Sequence, residues 1–275
     1  MCHFEHIGYI YDMKKNNPIG IFDSGVGGSS IWKEIHKLLP LEHTIYLADS
    51  KNAPYGNKTA EEITNLSIKN TEKLLALGAK IIVVACNTAT TNAIATLRKN
   101  YDIPIIGIEP AIKPAALQTT AKSIGILATK GTLSSALFSK TTREFTKDIN
   151  VVEIIGEGLV PLIEAGNLDG PEMVSLLKKH TKPMIAANVD YLVLGCSHYP
   201  YIIPQLKAIL PDNVTIIDSG EAVARQTKTV LQSMDMLRDE NTAPNLQFFT
   251  NAETDTLKFL LKNYSEKISV EKKEF

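Results

Sequence analysis

The chain has 275 residues, 44% of them hydrophobic, and its 29 Lys and Arg nearly cancel 30 Asp and Glu to leave a formal charge of -1. That is enough apolar material for a core that needs no disulfide or metal staple, and the near-zero charge gives no electrostatic footprint for nucleic acid or an anionic membrane surface. No apolar run approaches the roughly 20 residues of a bilayer span, so a soluble protein with a small-molecule ligand is expected.

The first 17 residues have no long apolar stretch ahead of a small-residue cleavage site, and Met13-Lys14-Lys15-Asn16-Asn17 reads as an alternative start, so 1–17 is expected to be a flexible extension. From Pro18 short β-branched runs alternate with segments of helical period, the pattern of a parallel sheet covered by helices. Ile19-Gly20-Ile21-Phe22 is a strand, Asp23 to Gly28 turns the chain, and Ser29 or Ser30 is placed to cap a helix with Ile31, Ile35, Leu38 and Leu39 on one face. Further strands are predicted at 44–48, 80–85, 105–108, 123–128, 151–155, 191–195 and 214–217. A late strand at 246–249 precedes a last helix near 254–261, and the charged tail from Ser265 is expected to fray.

The second half of the chain repeats the first. Ile19-Gly20-Ile21-Phe22 matches Ile124-Gly125-Ile126-Leu127 at an offset of 105, and Ile82-Val83-Val84-Ala85-Cys86-Asn87 matches Leu192-Val193-Leu194-Gly195-Cys196-Ser197 at an offset of 110. Two similar α/β lobes are expected, each an open, mostly parallel sheet flanked by helices, with the active site in the cleft between them. Cys86 and Cys196 each follow the carboxyl end of an apolar strand, the edge of an open α/β sheet where ligands bind.

Inverting a stereocentre by proton transfer needs a base on one face of the carbon and an acid on the other. Two thiols at equivalent positions of facing lobes meet that need, because thiol and thiolate can exchange roles. Either cysteine alone reads as a buried structural thiol; the matched pair with polar neighbours points to chemistry. Asn87, Thr88, Thr90, Thr91 and Asn92 follow Cys86 and supply donors suited to the carboxylate and ammonium of an amino acid. His198, two residues after Cys196, is either a structural imidazole or a partner that lowers the thiol's pKa. Asp23 is a proton relay, a partner for a substrate ammonium, or a turn cap.

Three cysteines without a C-x-x-C pair form neither a disulfide framework nor a zinc site, and free thiols imply a reducing cytoplasm. Cys86, Cys196 and His198 lack the usual metal-ligand spacing, so no metal is expected. The Gly25-Val26-Gly27-Gly28 turn lacks the third glycine of a dinucleotide fingerprint and no P-loop lysine follows, so no cofactor is expected there. Its backbone N–H groups remain available to a carboxylate, and Tyr55-Gly56 is either a second such turn or an ordinary one. A Cys-His-Asp hydrolase would leave one of the two cysteines without a role.

Gly20-Ile21-Phe22-Asp23-Ser24-Gly25-Val26-Gly27-Gly28, Ala53-Pro54-Tyr55-Gly56, Ala85-Cys86-Asn87-Thr88-Ala89 and Leu194-Gly195-Cys196-Ser197-His198-Tyr199-Pro200 together resemble the aspartate/glutamate racemase family, and its glutamate racemases in particular. The resemblance runs from Pro18 through Ala224. It implies a first lobe of 18–110 plus 218–275 and a second of 111–217, closing on the substrate, and interconversion of L- and D-glutamate for peptidoglycan without pyridoxal phosphate or metal. By similarity Cys86 and Cys196 are the two bases, Cys196 acting on L-glutamate and Cys86 on D-glutamate. Asp23 is implied beside Cys86, and Glu164 and His198 beside Cys196. Asp23, Ser24, Tyr55, Gly56, Asn87, Thr88, Ser197 and His198 are implied substrate contacts, to which the repeat adds Thr129 as the counterpart of Ser24. Ser197 stands where the family commonly has threonine and Gly156 where cysteine is common; neither change removes a catalytic group. A homodimer is expected. The other readings are a racemase for aspartate or another amino acid, and a non-catalytic two-lobed amino-acid-binding protein.

Overall fold

A computed structural model describes residues 14–264 and 267–275. The strands are β1 (Ile19–Asp23), β2 (Thr44–Ala48), β3 (Ile81–Val84), β4 (Ile105–Gly107), β5 (Ser123–Ala128), β6 (Asn150–Ile155), β7 (Tyr191–Gly195), β8 (Thr215–Ile217), β9 (Leu246–Thr250) and β10 (Ile268–Lys272), with helices between them. They form a six-stranded sheet in the order β10-β9-β2-β1-β3-β4 and a four-stranded sheet in the order β6-β5-β7-β8. Every pairing is parallel. Among the described residues no helix is long and apolar enough to cross a membrane.

The central strands β1, β3 and β5 are buried along their whole length, with helices on both faces, which is why they read as unbroken β-branched runs rather than alternating ones. The edge strand β6 has no fully buried residue and exposes Asn150, Glu153 and Ile155. The repeat seen in the sequence is a repeat of topology: β2-β1-β3-β4 recurs as β6-β5-β7-β8. It is also a repeat of register at the centre of each sheet, where Ile19 lies opposite Ile81 and Ile124 opposite Tyr191. The two matched cysteines therefore emerge beside the central strand of their own sheets, at the carboxyl edge.

Two expectations change. Gly28, not a serine, occupies the cap position of the helix Ser29–Leu38, and no side chain caps it. The Ser29 and Ser30 hydroxyls turn to the other lobe, where Ser29 pairs with the Tyr201 hydroxyl at 2.6 Å and Ser30 donates to the Ser197 carbonyl at 2.8 Å. The tail from Ser265 does not fray in its described part: β10 extends the first sheet beyond β9. Ile268 and Val270 alternate with exposed Ser269 and Glu271 and pack on the first core, the period-two pattern of an edge strand. Of the expected extension at 1–17, residues 1–13 lie outside the described residues; Lys14–Asn17 form a turn in which Asn17 N–H donates to the Lys14 carbonyl at 2.9 Å.

That turn is fastened at the amino edge of the first sheet. Lys80, fully buried, places Nζ 2.6 Å from Glu42 Oε2 and donates to the carbonyls of Lys15 at 2.6 Å and Met236 at 2.8 Å. Glu42 Oε1 accepts the Arg238 backbone N–H at 2.9 Å, and the Arg238 guanidinium donates to the carbonyls of Leu41, Glu240 and Thr242. One buried ion pair thus ties four segments distant in sequence, at Lys15, at Glu42, at Lys80 and at Met236 with Arg238. Removing one partner strands the other charge, so Lys80→Met is expected to cost about 3–5 kcal/mol in urea denaturation. The double variant Lys80→Met with Glu42→Gln is expected to recover part of that loss.

Candidate active site

Both lobes bring their strand ends to one small cavity. Ser24, Cys86, Asn87 and Thr88 of the first lobe and Thr129, Cys196, Ser197 and His198 of the second line it, and its volume is about 10 Å³. That is the scale of a single water molecule and smaller than any amino acid.

Cys86 caps the helix Asn87–Asn100, its Sγ accepting the Ala89 N–H at 3.4 Å while its thiol donates to Ser24 Oγ at 3.5 Å. A helix N-terminus ordinarily favours the thiolate. Here burial wins, reinforced by the charge of Asp23, and pushes the Cys86 thiol up to about 12 against the help of Ser24 and Ala89. Cys86 is held as a thiol at neutral pH.

Asp23, wholly buried at the end of β1, accepts the Gly25 N–H at 3.0 Å and the Ser197 O–H at 2.8 Å. Burial lifts its carboxyl above the usual range, against the pull of His198 and the Ser197 hydrogen bond. Asp23 thus stands between the thiols: its charge acts on Cys86 and its hydrogen bond crosses to the residue after Cys196.

On the other side Cys196 Sγ lies 3.7 Å from His198 Nδ1, and His198 Nε2 lies 2.5 Å from Glu164 Oε1. Burial opposes the imidazolium, but the hydrogen bonds and negative charge of Cys196 and Glu164 outweigh it and raise the His198 pKa well above its ordinary value. Glu164, at the end of the helix Leu159–Glu164, also accepts the Val26 N–H at 2.7 Å and the Ser50 O–H at 2.8 Å, both from the first lobe. Its approach needs the glycines of the first turn. A Cβ on Gly25 would sit 1.9 Å from Glu164 Oε1, and one on Gly27 2.2 Å from His198 Nδ1. The turn does offer its N–H groups to a carboxylate, as the sequence suggests, and the carboxylates that take them are the protein's own Glu164 and Asp23.

A second bridge between lobes joins Thr88 Oγ1 to Thr129 Oγ1 at 2.7 Å and to Thr132 Oγ1 at 3.3 Å, with Thr129 and Thr132 3.0 Å apart. Asn87 is buried on the cavity wall, and both polar atoms of its amide lack a partner among the described residues. Buried amides are normally satisfied, which makes two unpartnered amide atoms on a cavity wall an exception in this site. Gly56 lines the cavity, but Tyr55 does not: its hydroxyl donates to Asp49 Oδ2 and accepts from Asn70 Nδ2 within the first lobe. Ser50 and Thr132 were not singled out in the sequence. Ser50 is the second residue after β2, as Cys86 is the second after β3, so the strand-end rule that marks Cys86 reaches it too, and Thr132 lies one turn after Thr129.

His198 is raised above its ordinary 6.5, so the stability its protonation supplies is fully present below that value and is lost as pH rises through the folded pKa. In Glu164→Gln, which removes the charge on Nε2, the imidazole is expected to titrate at lower pH than in the wild type, followed by NMR of the ring nitrogens.

A family model described as Asp/Glu/Hydantoin racemase matches residues 27–227. The glutamate racemase of Ectopseudomonas mendocina is 48% identical over 221 residues, 80% of this chain and 84% of that protein. That of Pseudomonas putida strain W619 is 44% identical over 249 residues, 90% of this chain and 94% of the other. Among solved structures, glutamate racemase isoform RacE1 from Bacillus anthracis superposes with a TM-score of 0.83 at 32% identity, over 95% of this chain and 98% of its own. Escherichia coli glutamate racemase in complex with L-glutamate and activator UDP-MurNAc-ala gives a TM-score of 0.82 at 33% identity, over 93% and 98%.

Proposed function

The chain belongs to the Asp/Glu/Hydantoin racemase family and is an amino-acid racemase, and from that premise we propose that it interconverts L- and D-glutamate by proton transfer between Cys86 and Cys196. The observation that carries this reading is the cavity itself: two thiols from equivalent strand ends of two lobes line one small cavity. The relatives that match most of the chain are glutamate racemases, which favours glutamate over aspartate.

In the L-to-D direction the Cys196 thiolate takes the α-proton and Cys86, held as a thiol, delivers its proton to the opposite face. The turn ends with Cys196 protonated and Cys86 ionised, and the reverse direction runs the same transfers backwards. The His198 imidazolium beside Cys196 supports the thiolate there, and Glu164 supports the imidazolium. Asp23 carries negative charge near Cys86 and so favours the donor state of that thiol. The free amide of Asn87 and the hydroxyls of Ser24, Thr88, Thr129 and Ser197 suit the carboxylates and ammonium of the substrate, with Gly56 presenting backbone from the first lobe and Tyr55 holding that loop. Every group this scheme uses is a side chain or backbone group of the protein, so it calls for no cofactor.

The cavity is too small for glutamate, so in this reading the lobes, 18–110 with 218–275 and 111–217, part to admit it and close to exclude water from a carbanion-like intermediate. The same proposal places the enzyme as a homodimer in a reducing cytoplasm, where Cys86 and Cys196 stay free as they are here, supplying D-glutamate for the cell wall.

In deuterated water the protein is expected to place deuterium at the α-carbon of glutamate during racemisation; binding of glutamate with no exchange would leave an amino-acid-binding protein, and exchange confined to aspartate would move the substrate. Cys86→Ser and Cys196→Ser are each expected to lower racemisation about 100- to 10 000-fold. Each should keep one-sided exchange, of L-glutamate in Cys86→Ser and of D-glutamate in Cys196→Ser. Asn87→Ala is expected to raise KM about 10-fold, the scale of a hydrogen bond to a charged group.

A further inference from the structure

We propose that Ser50 is a positioning residue for the Cys196 side of the reaction: its hydroxyl, carried by the first lobe, fixes the Glu164 carboxylate in the geometry that aims His198 at Cys196. The inference rests on the two-thiol reading above and adds to it a residue outside the cavity wall.

Glu164 meets three donors. Oε1 takes the Val26 N–H at 2.7 Å and His198 Nε2 at 2.5 Å, and Oε2 takes the Ser50 hydroxyl at 2.8 Å. Two donors on one oxygen leave the carboxylate free to rotate about that oxygen. The third, on the other oxygen, sets its plane. The Ser50 side chain has no local task that explains it: Ser50 begins the short turn Ser50–Asn52, whose cap makes no side-chain hydrogen bond, and its hydroxyl reaches a residue 114 positions away in the other lobe. Glu164 is mostly buried, its side chain 16% exposed, so an oxygen left bare there is poorly served by solvent.

The arrangement is one-sided. The lobe that carries Cys86 also supplies, through Ser50 and Val26, two of the three donors that hold Glu164, the carboxylate behind His198, and they come into place only when the lobes are together. Ser50 neither gives nor takes a proton in the reaction. It acts through Glu164 on His198, and so on the transfer at Cys196 rather than at Cys86.

Ser50→Ala is expected to lower kcat/KM about 10-fold, equally in both directions, because enantiomers have equal free energies and the equilibrium constant is unity. Isotope effects locate the damage. With the Cys196 transfer slowed, the α-deuterium effect on kcat/KM is expected to grow for the enantiomer that Cys196 deprotonates and to shrink for the other, while Ser50→Thr, which keeps the hydroxyl, retains the wild-type pattern. The enantiomer belonging to each thiol is read from the one-sided exchange of the cysteine variants. An unchanged rate in Ser50→Ala, a loss with both isotope effects unchanged, or growth on the enantiomer of Cys86 would overturn the proposal. NMR titration of the His198 ring provides a readout independent of turnover: its pKa is expected to fall in Ser50→Ala and to hold in Ser50→Thr, and an unmoved titration would also overturn it. Wild-type protein that exchanges no glutamate proton would instead sink the two-thiol reading, with the imidazole titration still deciding what Ser50 does to His198.

Discussion

The Glu164 carboxylate touches the Val26 N–H, the Ser50 hydroxyl and His198 at once, and it can do so because Gly25 and Gly27 have no side chains. A methyl group at either position would fall within 2.2 Å of a second-lobe side chain. The turn after β1 is therefore shaped by what must come down on it, and the position of the second lobe follows from that contact. His198 then sits where its Nδ1 faces Cys196, and Ser197, its neighbour in the chain, where it can donate to Asp23. Both thiols owe their surroundings to the same seat.

Those surroundings differ in kind. Cys86 occupies a helix N-terminus and hydrogen-bonds Ser24, yet desolvation and the nearby Asp23 keep its proton in place. Cys196 faces an imidazole whose positive charge is secured by a carboxylate. Two residues made equivalent by the sheet topology are thus chemically unequal, because the segments that follow β3 and β7 differ, Asn87-Thr88-Ala89 after Cys86 against Ser197-His198-Tyr199 after Cys196. The buried Lys80–Glu42 pair and its Arg238 neighbour tie the amino edge of the first sheet, while at the carboxyl edge the buried Asn87 amide has no partner among the described residues.

The strands of both lobes were legible because a strand buried on two faces must be an apolar run, and the repeat was legible because such runs end in the same residue, Cys86 and Cys196. The register of β1 on β3 and of β5 on β7 even keeps the two sequence offsets. What resisted reading were contacts made across distance. Glu164 entered only through family resemblance, since it lies on a six-residue helix and its partners Val26 and Ser50 are 138 and 114 residues away. Ser29 and Ser30 looked like caps because local chemistry allows it, and the facing lobe offered them Tyr201 and Ser197 instead. Tyr55 carried a family expectation of substrate contact, but its hydroxyl is taken by Asp49 and Asn70. The tail hid a strand because β10 holds two half-buried apolar residues among charges, enough for an edge that has a neighbour to pair with.

Thr88, Thr129 and Thr132 form a triangle of hydroxyls in which each can serve as donor or acceptor. Rotating the three O–H bonds together reverses the sense of the circuit without moving a heavy atom. Such a cluster has no fixed polarity, so it can meet an incoming oxygen or an incoming ammonium by turning protons rather than by rearranging backbone. In the racemisation proposed above, the mirror forms of one ligand would present different groups to Thr88 and Thr129 on the cavity wall, and hydroxyls of reversible polarity would suit both.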